Sequence, residues 1–175
     1  LRRARDFSPF LREAADALPE IASAFVDQGS GDAVTRALET NAETVEGELR
    51  RRRTGLALAV ALGDLSGELD FVEATRLLSD FADAAIERAL ETALTERVPG
   101  AEVRGITVLA LGKLGSRELN YSSDVDLIFL YDPARLPHRP REEPGQAAVR
   151  VAQRVAELLQ KRTEEGYAFR VDLRL

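Results

Sequence analysis

The sequence contains no cysteine, no methionine and a single histidine, His138. Without cysteine there are no disulfides and no thiolate metal sites, and the composition suits a reducing, cytoplasmic setting. One histidine excludes His-cluster metal centres and two-His catalysis. The missing methionine, absent even at position 1, is expected of a piece of a longer protein. No stretch approaches the roughly 18 apolar residues of a membrane span. No basic-then-apolar leader opens the chain either, so neither membrane insertion nor secretion is expected. A basic excess is also lacking. Residues 1–99 hold 12 Arg against 19 acidic residues, and residues 100–175 hold 10 Arg and 2 Lys against 11. Neither half carries the surplus of cations with which nucleic-acid binders neutralise phosphates.

What is present is a globular composition, 45% apolar and 31% charged. Its 175 residues allow one domain or two small ones with a sizeable core. The first hundred residues read as helix. Ser8-Pro9 is a start signal, a hydroxyl cap followed by Pro at the first helical position. That helix should break near Pro19 and resume through Glu20–Asp27, with a turn at 28–31. A long helical pattern follows from about Ala42 to Leu62, and Gly63 and Gly67 bracket a break. Asp70 and Glu73 resemble a capping box, opening a helix with Phe71, Ala74, Leu78, Phe81 and Ala85 at spacings of three and four. Arg50–Arg53 reads as a solvated helix face pairing with Glu43, Glu46 and Glu48.

After Pro99-Gly100 the period changes. Gly105–Leu111 and Val125–Tyr131 are short, mostly apolar, β-branched runs that predict strands. Residues 133–145 carry four prolines among charges and predict a mobile surface loop holding His138. Gln146–Arg162 returns to helical spacing, and Tyr167–Leu175 alternates as a strand. The composite is α+β: a helical lead-in over 1–99 and an α/β core with a small mixed sheet over 100–175.

The chemistry concentrates between and within the strands. A Gly115-Ser116 pair follows the first strand, and Asp124-Val-Asp126 opens the next. Residues i and i+2 of a strand share a face, so Asp124 and Asp126 would point together while Val125 and Leu127 enter the core. Parallel carboxylates repel and gain from a divalent cation between them, and hard oxygens suit Mg²⁺ or Mn²⁺. In the last strand, alternation puts Arg170, Asp172 and Arg174 on one face. Three carboxylates on two adjacent strands could hold two metals roughly 3.5–4 Å apart, the arrangement used for in-line phosphoryl or nucleotidyl transfer. Gly115 would let the backbone approach a phosphate, and Ser116 would supply a hydroxyl and an N–H. Blander readings stand beside these. Asp-x-Asp alone also suits a solvated strand face, Lys113 a solvated turn, and Arg170 and Arg174 a simple neutralisation of Asp172.

Gly115-Ser116 followed by Asp124-Val-Asp126 resembles the nucleotidyltransferase superfamily that includes DNA polymerase β. The longer string from Leu111 to Phe129 is closer still to the bacterial glutamine synthetase adenylyltransferase/adenylyl-removing enzyme family. Gly55–Gly67 and Leu78–Ile86 are similar to that family's helical lead-in. The resemblance implies a polymerase-β-like core, with Asp124, Asp126 and Asp172 as metal-holding catalytic carboxylates. It implies Lys113, Gly115, Ser116, Ser123, Arg170 and Arg174 as nucleotide or phosphate contacts, with ADP, ATP and phosphate as small-molecule reactants. Glutamine synthetase is the implied protein substrate, and the nitrogen-signalling protein PII and glutamine the implied regulators. Members carry two related halves, one adding AMP to a tyrosine and one removing it by phosphorolysis. Gly166-Tyr-Ala-Phe-Arg-Val-Asp-Leu-Arg-Leu is similar to the removing half. The adenylylating half and a non-catalytic binding module are the alternatives. The family continues with Arg-Pro beyond Leu175, so a fragment is implied.

Overall fold

A computed structural model describes residues 1–163 and 166–173 of the chain. Its contacts divide the protein into two compact units, Leu1–Leu78 and Ser79–Leu175. In the first unit, helix α1 (Arg2–Phe7) hands over to α2 (Pro9–Ala17) at Ser8, whose hydroxyl accepts the Leu11 N–H at 3.3 Å. Pro19 then opens α3 (Pro19–Gln28), because a residue without an N–H costs nothing at a helix start. The expected turn at 28–31 is a sharper corner than the residues suggested. Gly29 sits at φ +86°, and α4 (Ser30–Leu38), not foreseen from the spacing, begins at the next residue.

Helix α5 (Val45–Ser66) is capped by Thr44, whose hydroxyl accepts the Gly47 N–H at 3.1 Å. Its centre lies in the core: Leu56, Leu58, Ala59 and Val60 are wholly buried, as is Ile21 of α3. Each such Leu, Ile or Val side chain stabilises the unit by about 1.5–3 kcal/mol. Two expectations fail here. Gly63 lies within α5 rather than at a break, since a Cβ there would meet Leu69 Cδ1 at 2.7 Å. Only Gly67, at φ +80°, ends the helix. Arg50 is buried rather than solvated, at 1% exposure. The charged face does include the expected Glu48–Arg52 pair at 2.7 Å.

Helix α6 (Phe71–Arg97) begins with the reciprocal capping box: Asp70 Oδ1 accepts the Glu73 N–H at 2.8 Å, and Glu73 Oε2 accepts the Asp70 N–H at 3.1 Å. The boundary between the units falls inside this helix, whereas the sequence period changes at Pro99-Gly100. A helix keeps its 3.6-residue spacing while its packing partners change, so the two boundaries need not coincide.

The second unit holds a three-stranded sheet. Strand β1 (Ile106–Leu111) runs antiparallel to β2 (Val125–Tyr131), and β2 runs parallel to β3 (Val171–Leu173), in the order β1-β2-β3. The one-turn α7 (Gly112–Gly115) leads from β1 towards β2, and α8 (Pro144–Gln160) makes the crossover that a parallel pair requires. The architecture is therefore α+β with a small mixed sheet. Val125, Leu127, Val155, Leu158 and Leu159 are fully buried, and the Phe81 and Phe169 rings pack at a centroid distance of 5.8 Å. Strand β3 begins at Val171 rather than at Tyr167, where the alternation starts; among the described residues it pairs with β2 over Val171–Leu173.

The proline-rich stretch 133–145, expected as a mobile loop, is tied down at several points. Leu136 is buried and its N–H donates to Asp132 O at 2.9 Å. The Glu142 carboxylate, almost wholly buried, accepts from Arg97 at 2.5 Å and from Arg150 at 3.0 Å. Among the described residues no helix is long and apolar enough to cross a membrane.

Candidate functional site

Register places two of the three candidate carboxylates side by side. Asp126 is the Cα partner of Asp172 across the parallel β2/β3 pair, and Val125 and Leu127 are the partners of Val171 and Leu173. Partners in register share a face, and adjacent strands lie about 4.8 Å apart. Val125 and Leu127 are buried on the opposite face, which turns Asp126 and Asp172 away from the core. Across the antiparallel pair Asp126 faces Leu111, the last residue of β1.

Asp124 lies two residues upstream of Asp126, just before β2 begins. Its Oδ1 accepts a hydrogen bond from Arg170 Nε at 2.5 Å, and Arg170 Nη2 donates to Ser122 O at 3.0 Å. The backbone beneath is also fastened, since the Val125 N–H donates to Arg170 O at 3.0 Å. Both side chains remain more than half exposed, at 51% for Asp124 and 59% for Arg170. Arg170 thus reaches Asp124, as expected where Val125 is the partner of Val171 and each lies one residue further on.

The glycine-rich turn has a different logic from the one its sequence suggests. A Cβ on Gly115 would stand 2.6 Å from Ala110 O, so this glycine permits α7 to fold tightly back on β1. The residue that opens space at the carboxylates is Gly112. It adopts φ +56°, and a Cβ there would stand 2.9 Å from Asp126 Oδ2. Only its place directly after the strand signalled this role. The Ser116 hydroxyl lies within hydrogen-bond distance of Gly112 O at 3.2 Å and Glu118 Oε2 at 3.3 Å. Ser123 donates to Asn120 Oδ1 at 2.8 Å, and the Ser122 N–H reaches the same oxygen at 3.1 Å. This small turn around Asn120 sets the approach to Asp124. The sequence offers an Asn followed by two serines as its trace. Lys113 is exposed. Arg174 lies outside the described residues.

The donor set fits a hard divalent cation in kind: carboxylate oxygens on adjacent strands, with Gly112 keeping the Asp126 side clear. The gathering is incomplete. Among the described residues no three acidic side chains surround one metal-sized gap, and Asp124 is engaged by Arg170. Asp126 and Asp172 are register partners, and Asp124 lies two residues upstream of Asp126.

The model of the glutamate-ammonia ligase adenylyltransferase family matches residues 2–175. The chain is 35% identical over 193 aligned residues to the bifunctional glutamine synthetase adenylyltransferase/adenylyl-removing enzyme of Rhizobium meliloti (strain 1021), an alignment covering 96% of this chain and 20% of that enzyme. It is 38% identical to the enzyme of the same name from Xanthobacter autotrophicus, over 82% of this chain and 16% of the relative. With that from Bradyrhizobium sp. (strain ORS 278) it shares 42% identity, over 73% and 14%. An α+β protein with paired strand carboxylates is thereby placed more narrowly. The chain belongs to the glutamate-ammonia ligase adenylyltransferase family. It spans about a fifth or less of the length of these relatives.

Proposed function

We propose that this chain serves the control of glutamine synthetase, and that it removes AMP from an adenylylated tyrosine of that enzyme by phosphorolysis. The observation that carries the reading is the in-register pair Asp126 and Asp172, with Asp124 two residues upstream, in a chain of this family. These three residues would hold Mg²⁺ or Mn²⁺, and such an ion, when bound, offsets negative charge on phosphoryl oxygens.

The reaction asks little covalent chemistry of the protein. Inorganic phosphate attacks the adenylyl phosphorus in line with its bond to the tyrosine oxygen. The new P–O bond forms as the P–O bond to tyrosine breaks, giving ADP and a tyrosinate that takes a proton from water. Arg170 offers a planar cation whose fork matches phosphate oxygens. Lys113, exposed in α7, adds a point charge. The Ser116 and Ser123 hydroxyls would exchange internal bonds for phosphate oxygens, and Gly115 keeps the turn beneath them tight.

The test is ADP release from adenylylated glutamine synthetase and inorganic phosphate in the presence of Mn²⁺. Asp126→Asn and Asp172→Asn should abolish release in folded protein. Incorporation of AMP from ATP into unmodified glutamine synthetase, lost in the same variants, would assign the chain to the adenylylating reaction instead. Binding of glutamine synthetase with neither activity would support the non-catalytic module, which the incomplete gathering of carboxylates favours.

A further inference from the structure

The third carboxylate is engaged by Arg170, and that contact has the properties of an exchangeable latch. Arg170 donates through Nε to Asp124 Oδ1 and through Nη2 to Ser122 O. A cation at Asp124 and the guanidinium of Arg170 compete for the same oxygen. The backbone of Arg170 is fixed, by the Val125 N–H on its carbonyl and by the β2/β3 pairing that begins at the next residue. Its side chain is not buried, so it can turn without disturbing the strand. Exposed ion pairs of this kind hold weakly in water. A phosphate offers the same planar fork two oxygens and more charge than one carboxylate oxygen does.

We propose that Arg170 is a positioning residue that couples anion to cation at this site: it holds Asp124 aside until phosphate draws the guanidinium away, and Asp124 then joins Asp126 and Asp172. The proposal rests on reading those carboxylates as ligands of a divalent cation. It requires that phosphate strengthen cation binding, and by reciprocity that the cation strengthen phosphate binding by the same factor. Removal of the latch makes cation binding tighter and indifferent to phosphate.

The experiment is Mn²⁺ binding to the 175-residue chain followed by electron paramagnetic resonance. It is run with and without inorganic phosphate and corrected by a protein-free Mn²⁺–phosphate titration. Wild type should bind Mn²⁺ several-fold more tightly with phosphate. Arg170→Gln should bind it about three- to fivefold more tightly than wild type without phosphate, the size expected for an exposed pair, and gain little from adding it. Arg170→Lys keeps the charge but loses the fork. It should also bind Mn²⁺ more tightly than wild type without phosphate, which separates the latch from a simple charge effect. Asp126→Asn reports on the underlying reading: unchanged Mn²⁺ affinity there overturns the cation site itself. If Asp126→Asn weakens binding while phosphate helps Arg170→Gln as much as wild type, the site stands and the latch is wrong.

Discussion

Asp126 and Asp172 are register partners across a parallel strand pair, one half-buried and the other exposed, on the face turned away from the core. Two elements far apart in the chain thereby set the backbones of two aspartates about one strand spacing apart.

If the two carboxylates share one cation, their losses should not add. Asp126→Asn and Asp172→Asn should each weaken Mn²⁺ binding by about tenfold or more, in the range seen when metal-site residues are removed. The double variant should be barely worse than either. A double-mutant cycle by calorimetry reads the coupling directly, and full additivity would mean that the two side chains act separately.

Gly112 is the residue whose loss should harm the site without removing a charge. Ala at φ +56° costs about 1–3 kcal/mol of backbone strain. Its methyl would also press on Asp126 Oδ2. Chemical denaturation should show the destabilisation, and Mn²⁺ titration of the folded fraction a weakened affinity.

Glu142 should make the second unit sensitive to acid. Burial acts to raise its pKa, but hydrogen bonds from Arg97 and the Arg139 N–H, with the charges of Arg97 and Arg150, hold it below the usual glutamate range. A carboxylate depressed in the folded state contributes stability above its unfolded pKa of about 4.5, and that contribution fades as pH falls through the lower folded value. Glu142→Gln should cost about 2 kcal/mol at pH 7. The gap from wild type should shrink below about pH 4.5, as followed by urea denaturation across pH.

The capping box of α6 should be worth a measurable amount. Asp70→Ala leaves the Glu73 N–H without its acceptor and should destabilise the protein by about 1 kcal/mol. Asp70→Ser, which keeps an acceptor, should recover most of that in thermal melts.

Much of this fold is legible in the residues because its signals are local. Ser8 with Pro9, and Asp70 with Glu73, cap helices through groups within three positions of each other. The runs 106–111 and 125–131 fall into strands because alternation and β-branching act within single segments. Legibility fails where the deciding partner is distant. Arg50 looks like part of a charged face, yet tertiary packing buries it. Gly63 looks like a breaker, yet it is a close contact for Leu69 and Ser30.

The site shows the same split. Alternation proposes that Asp124, Asp126 and Asp172 are polar positions on strands, but only the β2/β3 register decides which of them are neighbours. Arg170 could serve either carboxylate by spacing, and the same register sets it opposite Asp124. Gly112 carries no more signal in the string than Gly115, because what distinguishes them is the Asp126 side chain beside one and the Ala110 carbonyl beside the other.

In strand β3, described over Val171–Leu173, Asp172 is exposed between half-buried Val171 and Leu173. The alignment of this segment against β2 decides which way each of its side chains faces. A slip of one residue would turn Asp172 into the apolar layer beside Leu127 and bring two aliphatic side chains out into water. Burying an unpaired carboxylate is far more expensive than losing a ladder bond. The charge at position 172 therefore proofreads the assembly of the sheet: the alignment that keeps it wet is also the one that sets it beside Asp126.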